Sequence, residues 1–117
     1  MLSSAGGEVL FVAGQDATRP DGEIDSDDFT EQFETALAKS VRVVVDAGGS
    51  APDIGRITIY VTDIETYLAR RSEIGDAYRK WMGRHFPAMS LVEVSRLVDP
   101  RAKVEIEITA IIGEGSV

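Results

Sequence analysis

The segment Ala102-Lys103-Val104-Glu105-Ile106-Glu107-Ile108-Thr109-Ala110 alternates between apolar and polar residues without a break. Successive side chains of a strand point to opposite faces, so Val104, Ile106 and Ile108 share one face. Glu105 and Glu107 share the other, roughly 6.5 to 7 Å apart. Such a strand requires a sheet with one face covered from within and a second face that takes acids. The stretch Phe86-Pro87-Ala88-Met89-Ser90-Leu91-Val92-Glu93-Val94 comes shortly before it, across Val98-Asp99-Pro100-Arg101. Read as a short hairpin, the pair would set two acid-bearing strands side by side.

The rest of the chain supplies the partners of those strands. Val9-Leu10-Phe11-Val12-Ala13 is a continuous apolar run ending at Gly14, the pattern of a strand buried on both faces. Thr18-Arg19-Pro20-Asp21-Gly22 is turn chemistry. A helix capped by Ser26 follows, with Phe29, Phe33, Ala36, Leu37, Ser40, Val41, Val44 and Val45 at helical spacing until Gly48 stops it. Arg56-Ile57-Thr58-Ile59-Tyr60-Val61 alternates as a second strand. From about Ile64 to Arg84 a second amphipathic helix turns Tyr67, Ile74, Tyr78, Trp81 and Met82 inward, and Pro87 forbids its continuation.

The order strand, helix, strand, helix, strand, strand argues for an α/β (α+β) fold. One mixed sheet carries both helices on a single face, and residues 1–117 form one domain without repeat or linker. Because the first strand is apolar on both faces, a lone chain would leave one of them wet. Assembly through the sheet is the simplest cover.

Composition narrows the chemistry. Twelve basic against twenty acidic residues give a net charge of −8, so a phosphate backbone meets repulsion, and the basic residues form no patch. Arg70, Arg71, Arg79, Lys80 and Arg84 share their helix with Glu73 and Asp76, as on an ordinary solvated face. There is no cysteine, and His85 is the single histidine, which excludes thiolate ligands, paired-histidine metal sites and a triad built on another imidazole. The acids between Asp21 and Asp28 lack the every-second-residue order of a calcium loop, and no glycine-rich phosphate loop occurs. Neither a metal nor an organic cofactor is expected. The run Val9–Ala13 is too short for a membrane span or a signal core and no basic segment precedes it, so the expectation is a cytoplasmic protein with neither nucleic-acid nor membrane partner.

Ala13-Gly14-Gln15, the segment from Gly48-Gly49 through Asp53-Ile54 to Ile59-Tyr60-Val61-Thr62-Asp63, and the two C-terminal stretches together resemble the Rid (YjgF-like) family. These small trimeric proteins are also known as the L-PSP endoribonuclease family, and the likeness runs from Val9 to Ile112. It implies a chorismate-mutase-like fold and a homotrimer whose sheets close as a barrel around a central axis, with small-molecule clefts between subunits. Members studied as enzymes hydrolyse reactive enamines and imines in those clefts. By this resemblance Glu105 orients the attacking water, Ala13 and Gly14 let the ligand approach the backbone, and Ser72 stands where several enzymes hold an amide. The turn that reads Pro-Ala-Arg-Ser in the enzymes reads Pro87-Ala88-Met89-Ser90 here, placing Met89 and Ser90 at the ligand.

Each of these positions also has a plainer reading. Two carboxylates on an alternating strand can be merely solvated or paired, Gly14 can mark a bulge, and Ser72 can be a helix-surface serine. A partly desolvated carboxylate does gain basicity and can hold a water against an electrophilic carbon. The turn arginine would add charged hydrogen bonds to a substrate carboxylate, worth about 1.5 to 3 kcal/mol each, and Met89 cannot supply them. Arg96 points to the opposite face from Met89 on an unbroken strand, Arg101 lies in the connecting loop, and Arg84 is placed to bond its own helix end. A thioether lining favours a less polar or uncharged ligand. Three functions remain open: imine or enamine hydrolysis through Glu105, a non-catalytic or regulatory small-molecule binder, and an endoribonuclease, which the acidic balance opposes.

Overall fold

The computed structural model describes Leu2 and residues 6–113. Its elements in order are β1 (Gly7–Gln15), α1 (Phe29–Asp46), a 3-10 turn (Ala51–Asp53), β2 (Ile54–Val61), α2 (Ile64–Ala69), α3 (Arg71–Met82), β3 (Ala88–Glu93) and β4 (Val104–Gly113). They form a mixed α+β layer structure, as the alternation of strands and helices requires. One four-stranded sheet runs β1-β4-β2-β3, antiparallel between β1 and β4 and between β4 and β2, parallel between β2 and β3.

The core fills the space between the sheet and the helices. Val104, Ile106, Ile108 and Ala110 of β4 are buried together with Ile57, Ile59 and Val61 of β2. Against them pack Phe33, Ala36, Leu37 and Val44 of α1 and Ile74, Ala77, Tyr78 and Met82 of α3. Both long helices therefore cover a single face, as their apolar spacing implies.

The strands at the C-terminal end are not a hairpin. β4 lies between β1 and β2, and β3 is an edge strand beside β2. The physical reason lies in burial. Every helix-facing residue of β4 from Val104 to Ala110 is buried, as suits a strand paired on both sides, whereas four of the six residues of β3 are exposed. The acids of β3 and β4 are thus separated by β2.

Two helix boundaries also differ from the sequence expectation. The cap of α1 is Asp28, whose side chain accepts from Glu31 N at 3.0 Å, while Ser26 supports it by accepting from Asp28 N at 3.0 Å. The expected single helix over 64–84 breaks at Arg70, where φ is −116° and ψ 24°. The Arg70 guanidinium donates to Asp28 at 2.6 Å, tying the break to the start of α1 and holding the Asp28 carboxyl below its usual range together with the cap bond from Glu31. The turn at 18–22 forms as expected, with Gly22 at φ 87° and its N–H bonded to Arg19 O at 2.9 Å.

Buried Gln32 knits the loops to the core. Its amide donates to Ser26 O at 2.7 Å and Arg101 O at 3.1 Å, and accepts from Lys103 N at 2.8 Å. Arg101 in turn pairs with Glu23 and Asp99 and donates to Gly22 O at 3.0 Å.

Candidate functional site

The face of the sheet turned away from the helices carries Val9 and Phe11 of β1, Thr58 and Tyr60 of β2, and Glu105 and Glu107 of β4. Phe11 is 78 % and Val9 54 % exposed, so the doubly apolar first strand does leave one side uncovered in a single chain.

Glu105 is half-buried on that face, beside the end of β1. The β1/β4 register slips between Val12 and Gln15, and the irregularity brings the Gly14 backbone against the Glu105 side chain. A Cβ on Gly14 would lie 2.5 Å from Glu105 Oε2, so any larger residue there would make the carboxylate move. Tyr60 stands opposite Glu105 on β2 and donates its hydroxyl to Glu107 Oε1 at 2.8 Å. That bond, helped by desolvation and the two glutamate charges, pushes the Tyr60 hydroxyl pKa up.

Glu105 itself has no hydrogen-bond or ion-pair partner among the described residues. Its pKa is raised, first by desolvation and then by the negative charges of Asp16 and Glu107. A carboxylate more basic than usual, half-shielded and with its oxygens uncommitted, is equipped to accept a proton from a water.

The other expected residues divide into separate groups. Ala13 is exposed next to Gly14 and accepts a bond from the Gln15 side chain at 3.1 Å. Ser90 pairs with Thr58 and lies on the open face at the β3 edge. Met89 pairs with Ile57, so its side chain turns to the helix side, where it lines a pocket with Phe33, Ile59, Tyr78 and Phe86. Ser72 is exposed on the first turn of α3. Within one chain Met89 and Glu105 therefore stand on opposite faces and two strands apart, about 9 to 10 Å sideways at ordinary strand spacing. Sequence reasoning did not single out Tyr60 or Asp16 as neighbours of Glu105. The alternation of β2 carried the signal for Tyr60, whereas Asp16 is placed by the irregular end of β1, which leaves no periodic trace.

Among the described residues no cluster of histidine and acidic side chains could hold a metal ion, and no helix is long and apolar enough to cross a membrane.

Comparison with known proteins gives a consistent likeness. The family described as Endoribonuclease L-PSP matches residues 3–112. A member of the conserved Rid protein family from Yersinia pestis, YyfB, superposes with a TM-score of 0.82 at 28 % identity, covering 94 % of this chain and 83 % of that one. Escherichia coli TdcF, solved with bound serine, gives a TM-score of 0.74 at 32 % identity over 93 % of this chain and 84 % of its own. The 2-iminobutanoate/2-iminopropanoate deaminase of Salmonella typhimurium is 29 % identical over 109 residues, 90 % of this chain and 80 % of that protein.

Proposed function

Because the chain belongs to the Endoribonuclease L-PSP (Rid) family, we propose that it is a homotrimer that hydrolyses small imines or enamines in clefts between its subunits. Glu105 is its water-holding base. The observation that carries this reading is the Glu105 carboxylate, unpaired, raised in pKa and pressed against the side-chain-free backbone of Gly14.

The chemistry asks for little more than that group. The imine reacts as the iminium, protonated at nitrogen by solvent: Glu105 accepts a proton from a water as the water oxygen bonds to the carbon and the C=N electron pair moves to nitrogen, giving a neutral carbinolamine. Glu105 then returns its proton to the amine nitrogen, the C–N bond breaks as the hydroxyl oxygen forms the C=O bond, ammonia leaves, and the hydroxyl proton passes to water. The related Salmonella typhimurium protein is named for deaminating 2-iminobutanoate and 2-iminopropanoate. Assembly supplies the rest of the cleft: Met89 and Ser72, which lie away from the open face of their own chain, can reach Glu105 only from a neighbouring subunit. The exposed Phe11 and Val9 give the open face its reason to be covered.

With a methionine in the turn, short 2-imino acids have no charged clamp there and are expected to be poor substrates. The same residue favours a second reading, a small-molecule binder that retains the cleft without turnover. Hydrolysis of 2-iminobutanoate by the wild type and by Met89→Arg separates the two. The expected result is slow hydrolysis by the wild type, a gain of at least tenfold in kcat/KM in Met89→Arg, and loss of that gain when Glu105→Gln is added. A trimeric Met89→Arg variant that binds 2-imino acids but leaves them intact would establish the binder instead.

A further inference from the structure

Two glutamates project from the open face of β4, and their surroundings treat them differently. In the antiparallel register of β2 and β4, Glu105 stands opposite Tyr60 and Glu107 opposite Thr58. The Tyr60 hydroxyl nevertheless passes over its direct partner. It donates to Glu107 Oε1, the diagonal neighbour, at 2.8 Å, and Glu105 is left without a hydrogen-bond or ion-pair partner among the described residues. Opposed and diagonal positions both lie within reach of an aromatic side chain across a strand pair, so one hydroxyl has two carboxylates to serve.

The other groups facing Glu105 give it no competing bond. Asp16 at the end of β1 and Glu107 on its own strand act on it as negative charges, and Gly14 presents backbone alone. Lys103, two residues earlier, exerts its charge on Asp63. Were the Tyr60 hydroxyl to turn to Glu105, it would occupy an oxygen that has to take a proton from water. A hydrogen bond to the charged form also makes a carboxylate less basic.

We propose that Glu107 is a positioning residue for the reaction at Glu105: by holding the Tyr60 hydroxyl, it keeps the Glu105 oxygens free for water. Glu107 exchanges no proton with the substrate. Its part in turnover rests on the hydrolase reading above, whereas the tether itself is the bond between Tyr60 and Glu107. The arrangement gives the second acid of the strand a task different from that of the first.

The test is hydrolysis of 2-iminobutanoate by variants made in the Met89→Arg protein, together with NMR titration of the Glu105 carboxyl carbon. Glu107→Ala releases the hydroxyl to Glu105 and is expected to lower kcat/KM by about tenfold or more, the range of one charged hydrogen bond. Adding Tyr60→Phe should restore most of that loss, because no hydroxyl remains to occupy the base. Glu107→Gln removes the charge but keeps a carbonyl oxygen for the hydroxyl, so it should lose less than Glu107→Ala. In the titration, Glu105 should ionise at lower pH in Glu107→Ala than in Glu107→Gln, and Tyr60→Phe should erase the difference. A structural role for Glu107 would not be repaired by truncating a second side chain. A Glu107→Ala/Tyr60→Phe variant no more active than Glu107→Ala therefore overturns the proposal, and so do equal Glu105 titrations in Glu107→Ala and Glu107→Gln. Absence of hydrolysis in Met89→Arg itself, with the titration difference present, would overturn the hydrolase reading and leave the tether standing.

Discussion

The carboxylate of Glu105 occupies the space that a side chain at position 14 would need: a Cβ on Gly14 would fall 2.5 Å from Oε2 and 2.8 Å from the carboxyl carbon. Glycine at the irregular end of β1 is therefore a condition for where Glu105 sits. Gly14→Ala should swing the carboxylate away while leaving the core untouched, because both residues face out from the helix layer. The expected outcome is a loss of about tenfold or more in imine hydrolysis with a nearly unchanged melting temperature. Steady-state kinetics and a thermal melt on the same preparation check it.

The environment of Glu105 also sets a pH dependence. Desolvation, Asp16 and Glu107 raise its pKa above the ordinary glutamate value of 4.5. Hydrolysis needs the ionised form, so kcat/KM should fall on the acid side through a pKa higher than that of an exposed glutamate. For stability the sign is opposite to that of a salt-bridged acid. A carboxyl whose pKa is higher folded than unfolded contributes stability below the unfolded value and loses it as pH rises through the folded one. Glu105→Gln should thus abolish hydrolysis and, at neutral pH, raise the melting temperature rather than lower it. A fall in melting temperature at neutral pH would show that the carboxylate is stabilising and paired.

Phe11 tests the assembly. It is largely exposed in one chain and sits at the centre of the apolar stripe of β1. Light scattering on the wild type is expected to give three times the mass of one chain. Phe11→Asp, which would bury a charge in the proposed interface, should shift the mass toward a single chain. An unchanged trimer in Phe11→Asp would mean that β1 does not face a neighbour.

Gln32 is a structural prediction. It is only 1 % exposed and satisfies three backbone groups, on Ser26, Arg101 and Lys103. Replacing it with leucine keeps much of its volume but strands those groups, and a buried group left unsatisfied costs about 1 to 3 kcal/mol. Denaturant unfolding should show a loss in that range or above, with hydrolysis per folded molecule preserved.

Much of the fold was legible because its elements are periodic. The alternation of β4 placed Glu105 and Glu107 on the face opposite Val104, Ile106 and Ile108, and the apolar spacing of α1 and α3 named the core side of each helix. Strand order was not legible. A short connection suggested a hairpin, yet β4 pairs with β1 and β2 and leaves the largely exposed β3 at the edge, an arrangement set by burial across the whole sheet rather than by the loop. The break at Arg70 depends on an ion pair to Asp28, 42 residues away, which no local pattern encodes. At the site, the contact of Glu105 with Gly14 comes from the irregular end of β1, which leaves no periodic trace in the sequence. The opposed faces of Met89 and Glu105 became visible only once the register of β3 against β2 was known.

The place of β4 in the sheet bears on how the protein is made. β1 and β2 do not touch each other in the sheet; each is bonded to β4, whose residues 104–113 leave the ribosome after every other strand. Until they emerge, β1 has no hydrogen-bonding partner and β2 has only the short parallel strand β3. The nascent chain can form its helices and the β2–β3 unit, but it must hold the apolar residues of β1 unpaired until the end. Collapse of the sheet is thus confined to a late, cooperative step dominated by contacts distant in sequence, a kind of step that is slow and exposed to aggregation.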